Sequence, residues 1–474
     1  MRLSDFSAIH FVGIGGIGIS ALAKYLHFQG AAITGSDAQT SPPVEELRRL
    51  GIAVTIGHNA TNLPAQTELI IFSAAVPELN PERLAARVRG TPELSYFDAL
   101  GSLSENFKTL TVSGTHGKST TTALLGLMLE EAAFDPLVIV GSKVKTFTNG
   151  NLRRPLGATD WFVVEGCEHL GNMLKLKSFG VIVTAVELDH LDYYRDLADI
   201  QEHFSRFIRG SQGGPVIING DDPNCAPLFR AVTANAPVTF GLAAANDYHV
   251  ANLTVQSGVH SFEISRHGET LGKIELHIPG AYNVRNFLAA AAMALELGAP
   301  FVALQKTAEK FTGLWRRFEN LGTWRGATVI SDYGHHPTAV KETLQAAREF
   351  FPERRLVLVF QPHQHNRTKN LWKEFVKCFD LADVLILNEI YDVAGREEEK
   401  DQDVTSEKLA AEIRPRSRDE IFGVRLQSVI YAPTFEDVNR ALYKEAQSGD
   451  IIIVMGAGDI NKVAEDLFHE FFIH

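Results

Sequence analysis

Cysteine is scarce in this chain. Three occur in 474 residues, and Cys167, Cys225 and Cys378 stand far apart with no paired spacing. That excludes a disulfide framework and a cysteine-built zinc site, and it fits a reducing compartment. Long apolar runs are missing too. No window of about 18 residues is both uncharged and apolar, so neither a membrane-spanning helix nor membrane insertion is expected. Gly15 and Gly16 interrupt the first apolar run, and no basic leader precedes it, so no secretory signal is read and the expected location is cytoplasmic. Positive charge is not in excess. Lys and Arg number 45 against 57 Asp and Glu, a net charge of −12, and the signs are interspersed, so no nucleic-acid backbone is expected as a partner. No repeat period and no low-complexity tail are found. The one dense charge run, 396–403, reads as a solvated loop.

What remains is a globular composition, 45% apolar and 22% charged, on a chain long enough for about three domains. The most specific motif is Gly114-Thr115-His116-Gly117-Lys118-Ser119-Thr120, between the apolar run Leu110–Ser113 and a helical stretch. Backbone N–H groups of such a loop, and the helix N-terminus after it, face an anion. The lysine reaches outer phosphates and the serine hydroxyl can ligate Mg²⁺. The loop is shorter than the usual phosphate-loop pattern, because position 112 is Val and not Gly. A second glycine turn, Gly13-Ile-Gly15-Gly16-Ile-Gly18, follows the run Ala8–Val12, and Asp37 ends the next strand. That is the dinucleotide fingerprint by pattern. Taken alone it suits NAD as well as any other pyrophosphate.

Residues 1–107 read as one doubly wound α/β unit, with further β-α steps at Ile52–Gly57 and Glu68–Ser73. A central unit, 108–313, carries short apolar runs at Trp161–Val164, Gly180–Val186 and Val216–Asn219. Such runs are typical of strands buried on both faces. Alternating stretches at 249–255 and 259–264 predict an antiparallel insertion, and Ala281–Leu297 predicts a helix. A third α/β unit, 314–474, has strand signals at Thr328–Ser331, Leu356–Phe360, Val384–Asn388 and Ile451–Met455.

Polar clusters follow these strands, where the carboxyl ends of an open sheet line a ligand crevice. Glu165 and Glu168 follow one; Glu187, Asp189, His190 and Asp192 follow another. Carboxylate and imidazole there could hold Mg²⁺ against phosphates. Asn283 and Asn286, at i and i+3, share a helix face and suit a nucleotide, or cap the helix. Arg316 and Arg317 sit at a domain junction from which closure could bring a guanidinium to a γ-phosphate. Asp332-Tyr333-Gly334-His335-His336 and His363-Gln364-His365-Asn366-Arg367 follow two more buried strands.

In order and spacing, these motifs together with Met455-Gly-Ala-Gly-Asp-Ile460 resemble the Mur ligase family over essentially the whole chain. The resemblance implies three domains: a Rossmann-like N-terminal domain, a central P-loop ATPase-type α/β domain and a C-terminal Rossmann-like α/β domain. It implies ATP-dependent amide formation between the lactyl carboxylate of UDP-N-acetylmuramate and L-alanine through an acyl phosphate, or the same chemistry with another amino acid or a recycled peptide. The first glycine turn would then bind a UDP-sugar, through His10, Gly13, Gly15, Gly16, Gly18, Asp37 and Ser73. ATP would lie on residues 114–120, Asn283, Asn286, Arg317 and Asp332. Lys118, Glu165, His190 and Arg317 would be catalytic, with Ser119, Glu165 and His190 as Mg²⁺ ligands. Tyr333, His336, His363 and Arg367 would place the amino acid, with the protein a monomer or a weak homodimer. Three positions depart from the family pattern: Ala185 stands in place of Asn, Tyr282 in place of His, and Gln364 in place of Arg.

Overall fold

The computed structural model describes residues 2–191, 193–232, 236–256, 258–392, 401, 403–413 and 425–469. Of the expected features, Asp192 and most of the 396–403 charge run lie outside these residues. In the described part of that run Asp401 departs from the solvated-loop reading, being buried and paired with Lys369 at 3.5 Å, while Asp403 is exposed and fits it.

Three sheets carry the chain. The first has five parallel strands in the order Ala53–Ile56, Ala32–Asp37, Ala8–Val12, Leu69–Phe72 and Glu93–Ser95. The last strand and the helix Tyr96–Ser104 gave no readable periodicity. The helix starts where Ser95 accepts the Asp98 N–H at 3.2 Å. The second sheet has ten strands. Seven of them, from Tyr248–Gln256 through Lys108–Ser113 to Leu137–Ile139, run parallel, and antiparallel strands flank them at both ends. The expected insertion is therefore an extension of the central sheet. The third sheet has six strands, with Glu319–Trp324 antiparallel at one edge and the rest parallel.

Strand order decides where a ligand can sit. Chains that leave neighbouring strands in opposite directions open a crevice at the switch point. In the first sheet Ala8–Val12 lies between the second and fourth strands, so the Gly13–Gly18 turn opens at the switch. In the second sheet Lys108–Ser113 lies between Trp161–Gly166 and Ser178–Val183. The phosphate loop therefore emerges flanked by the two acidic segments.

Behind the loop, the helix Lys118–Glu131 is buried from Ser119 to Leu129, and it packs between the sheet and the helix Ala281–Glu296. Small side chains permit that approach, since Ala289–Ala292 are wholly buried. Truncating a buried leucine such as Leu124 in such a core costs about 2–5 kcal/mol. Packing of this kind fixes the loop in space, because the helix that begins at Lys118 cannot shift without opening the core.

Candidate active site

One cavity of about 580 Å³ opens where the central and third units meet. The phosphate loop, Glu165, Glu168, Asp189 and His190 form one wall. Arg317, Asp332, Tyr333, His335, His336, His363 and Arg367 form the other, with Asn283 and Asn286 between. Ile17, at the start of the helix after the first glycine turn, reaches its rim.

Gly114 and Gly117 have φ of +135° and +79°. A Cβ on Gly114 would stand 2.1 Å from Thr184 Oγ1, and one on Gly117 2.2 Å from Asn286 Oδ1. Only glycine fits either place. Lys118 Nζ donates to Glu168 Oε1 at 3.0 Å and to the Thr115 carbonyl at 3.2 Å. Burial pushes the Glu168 carboxyl up, but the charge of Lys118 and the hydrogen bond from His190 outweigh it and hold the carboxyl at about 2.

Glu165 corrects the expected placement, because it lies inside the strand Trp161–Gly166 and not after it. Its carboxylate accepts from the Ser119 hydroxyl at 3.1 Å and from the Gly141 N–H. Burial raises its pKa, more than its nearby donors and cations lower it. A hydroxyl and a poorly compensated buried carboxylate beside a phosphate loop are a hard-oxygen pair that fits Mg²⁺. His190 does not join them. Its Nε2 lies 3.5 Å from Glu168 Oε1 and 3.9 Å from Asp189 Oδ2. Its backbone is left-handed, φ +55°, a conformation that non-glycine residues adopt at a cost and that often marks functional loops.

Asn283 and Asn286 share a buried face, as the spacing predicted, and do not cap the helix. Gly280 is the N-cap, Asn283 donates to the Pro279 carbonyl at 2.6 Å, and Asn286 donates to Asn283 Oδ1 at 3.2 Å. The neighbouring Tyr282 lines the cavity and packs onto the core of the third unit. No sequence periodicity pointed to it, because its partners lie on a different domain.

Across the cavity the two junction arginines part company. Arg316 donates to the carbonyls of Gly456 and Gly458 and so braces the Met455–Ile460 loop. Arg317 faces the cavity, 5.0 Å from the Tyr333 ring centroid, with Glu165 and Asp332 both within reach of its charge. Each Asp332 oxygen accepts one backbone N–H, Oδ2 from Phe318 and Oδ1 from Gly334, at 2.7 Å each.

Arg367, the residue that the resemblance implies for the amino acid's carboxylate, is paired within the protein. Its Nε and Nη2 donate to Asp189 Oδ1 at 3.0 and 2.9 Å, and its Nη1 donates to His363 at 3.1 Å. Burial pushes Asp189 up, yet Arg367 and three histidines hold it well below the usual carboxylate range. Gln364, φ +70°, is the N-cap of the short helix that presents Arg367. His335 stacks edgewise on Tyr333 and near His363.

Glu187 is a second knot between units. It receives His116 Nε2 at 3.1 Å and the Thr338 hydroxyl at 2.9 Å, and His336 Nδ1 lies 3.4 Å away. Burial would raise its pKa, but these partners bring it to about 2. His336 caps the helix Pro337–Phe350 through Nδ1, which accepts the Thr338 N–H at 3.3 Å. Its Nε2 is buried without a hydrogen-bond partner among the described residues. Burial, with the nearby His116, brings its pKa down to about 4.

In the first unit, Gly13 has φ +74° and Asp37 is taken up by the Gly15 N–H at 2.7 Å, so it braces the turn. Ser73 packs against Gly13. Gly16 is the N-cap of the helix Ile17–Phe28, and Gly18 lies under the Tyr96 hydroxyl. His10 is buried beneath the turn, bonded to Thr34 at 2.8 Å and Glu82 at 2.9 Å, so neither ring nitrogen is open to a ligand.

Three family descriptions cover the chain in order. They are the Mur ligase family catalytic domain at residues 8–108, the Mur ligase middle domain at 112–294 and the Mur ligase glutamate ligase domain at 316–458. A UDP-N-acetylmuramate–L-alanine ligase of Alkaliphilus metalliredigens is 36% identical over 465 residues, 98% of this chain and 97% of its own. The crystal structure of a UDP-N-acetylmuramate–alanine ligase from Thermotoga maritima superposes with a TM-score of 0.80 at 25% identity, covering 98% of this chain and 99% of its own. A murein peptide ligase from Psychrobacter arcticus shares the fold, with a TM-score of 0.70 at 20% identity over 98% of both chains.

Proposed function

The chain belongs to the Mur ligase family, and we propose that it joins UDP-N-acetylmuramate to L-alanine. It is an ATP-dependent ligase of peptidoglycan precursor synthesis, and it forms the amide between the lactyl carboxylate and the alanine amine. The observation that carries this reading is convergence. One 580 Å³ cavity receives a phosphate loop from one sheet and cationic and imidazole side chains from another. Phosphoryl transfer needs just that, two anions positioned and their developing charge neutralised.

A lactyl carboxylate oxygen attacks the γ-phosphorus, and ADP leaves. The alanine nitrogen then attacks the acyl carbon, and phosphate departs. In our reading the loop Gly114–Thr120, with Asn283 and Asn286, cradles ATP. Lys118 exchanges Glu168 for the outer phosphates. Arg317 meets the transferring phosphoryl group, while Asp332 holds the backbone from which Arg317 projects. Ser119 and Glu165 would hold Mg²⁺, with His190 joining after a turn away from Glu168; the ion supplies neutralisation of phosphate charge. Tyr333, His336 and His363 face the amino acid, and Arg367 takes its carboxylate when Asp189 yields. The UDP-sugar lies on the Gly13–Gly18 turn near Ser73, with Asp37 and His10 supporting from behind. The three working units run 1–107, 108–313 and 314–474.

The test is ADP release with Mg²⁺-ATP and UDP-N-acetylmuramate, with and without L-alanine, together with the product mass. Release that needs both substrates, and a product heavier by one alanyl unit, supports the reading. Turnover only with a peptide in place of alanine would sink it.

A further inference from the structure

His116, Glu187 and His336 come from three segments: the phosphate loop, the segment after the strand Ser178–Val183, and the N-cap of the helix Pro337–Phe350. One donor atom from each lies within 4.8 Å of the other two, the one such group among the described residues. Glu187 Oε2 is 3.1 Å from His116 Nε2 and 3.4 Å from His336 Nδ1. Ligands about 2.0–2.1 Å from a tetrahedral ion lie about 3.3 Å from one another. Two of the three edges already have that length. The two rings face each other, with centroids 5.1 Å apart.

The structure assigns these three side chains to a binding site for a divalent ion of the Zn²⁺ class, separate from the oxygen pair Ser119 and Glu165. The donor set makes the choice. Two imidazoles and one carboxylate suit Zn²⁺ or Co²⁺, whereas Mg²⁺ demands a near-octahedral shell of oxygens. Binding is an exchange. The proton that His116 Nε2 shares with Glu187 leaves that nitrogen, moving to Nδ1 of a neutral ring or to solvent from a protonated one, and the ion takes the Nε2 lone pair. His336 Nδ1 gives up its long bond from the Thr338 N–H for the ion, while Glu187 stays charged. The fourth position is left to water. Because His116 and Glu187 belong to the central sheet and His336 to the third unit, the ion ties the phosphate loop to the C-terminal helix. Opening of the cavity then requires the ion to leave.

The test uses the full chain, stripped of metal by a chelator and titrated with Co²⁺ without nucleotide, read by the visible absorption of tetrahedral Co²⁺. One equivalent should bind, be displaced by Zn²⁺ and resist excess Mg²⁺. His336→Ala and Glu187→Gln should each weaken binding by about 100-fold or more, and Glu165→Gln should leave it unchanged. His336→Asn keeps an acceptor for the helix cap and should still lose the ion, which separates a lost ligand from a lost fold. A signal that survives His336→Asn, or that vanishes in Glu165→Gln, overturns the assignment.

Discussion

Asp189 and Arg367 are 178 residues apart, on different units, and meet in a buried ion pair in the cavity lining. Asp189→Asn keeps the shape and one acceptor oxygen but removes the charge. A hydrogen bond to a charged group contributes about 1.5–3 kcal/mol and a neutral one about 0.5–1.5 kcal/mol. Two such bonds, at 3.0 and 2.9 Å, are downgraded together, a loss of about 2–3 kcal/mol, or about 30- to 150-fold. Neither unit's own core contains the pair, so the loss falls on closure of the cavity and not on folding. Alanine-dependent ADP release should drop by about 30-fold or more in kcat/KM, with the melting temperature little changed. Arg367→Gln should drop it at least as far, because it removes the same pair and the proposed carboxylate contact. The double variant should be no worse than Arg367→Gln alone, giving a coupling of about 2 kcal/mol. Additive losses, agreeing within about 0.5 kcal/mol, would refute the claim that the pair acts as one closing contact.

Three further expectations follow from the same geometry. His336 titrates at about 4 in the fold against 6.5 when free. The fold therefore binds fewer protons there than the unfolded chain, and its stability is complete above pH 6.5 and falls as pH drops toward 4. That single group is worth at most about 3 kcal/mol, and a pH series of thermal melts should show His336→Asn to be less acid-sensitive in that window. Gly117→Ala forces a left-handed alanine and a 2.2 Å approach to Asn286 Oδ1. At about 1–2 kcal/mol for the backbone alone, ADP affinity by calorimetry should fall about tenfold or more, and unchanged affinity would remove the loop from the nucleotide site. Glu165→Gln keeps its bonds to Ser119 and Gly141 in shape but not in charge. The Mg²⁺ concentration for half-maximal ADP release should rise about tenfold or more, and an unaltered requirement would move the ion elsewhere.

The sequence was most legible where chemistry and topology share one short stretch. Gly114–Ser119 follows a buried strand, so its glycines, lysine and serine announced both the turn and the anion that it faces. The buried strands Val216–Asn219, Leu356–Phe360 and Val384–Asn388 were readable for a related reason, because a strand covered on both faces is a nearly continuous apolar run, broken here only at the terminal Asn219 and Asn388. The strand Glu93–Ser95 is only half buried throughout, and so it lacked that signature.

Side-chain partnerships were the illegible part, because they are decided between units. Nothing near Arg367 in the chain says that Asp189 will take two of its donors. Nothing near Arg316 says that two carbonyls about 140 residues on will occupy it and leave Arg317 to face the cavity. A guanidinium read from sequence is a promise of charge, and burial demands that the charge be met. In this fold neighbouring carboxylates meet that demand. Asp189 answers Arg367, Glu168 answers Lys118, and Glu187 answers His116. Glu168 and Asp189 are held below their ordinary range by the Lys118 and Arg367 cations that a substrate anion would claim. An incoming phosphate or carboxylate therefore competes with a protein anion of like charge, and its binding rearranges the contacts that hold the cavity closed. Of the three pairs, Asp189–Arg367 alone joins two units, so a carboxylate that takes Arg367 also releases that contact between them.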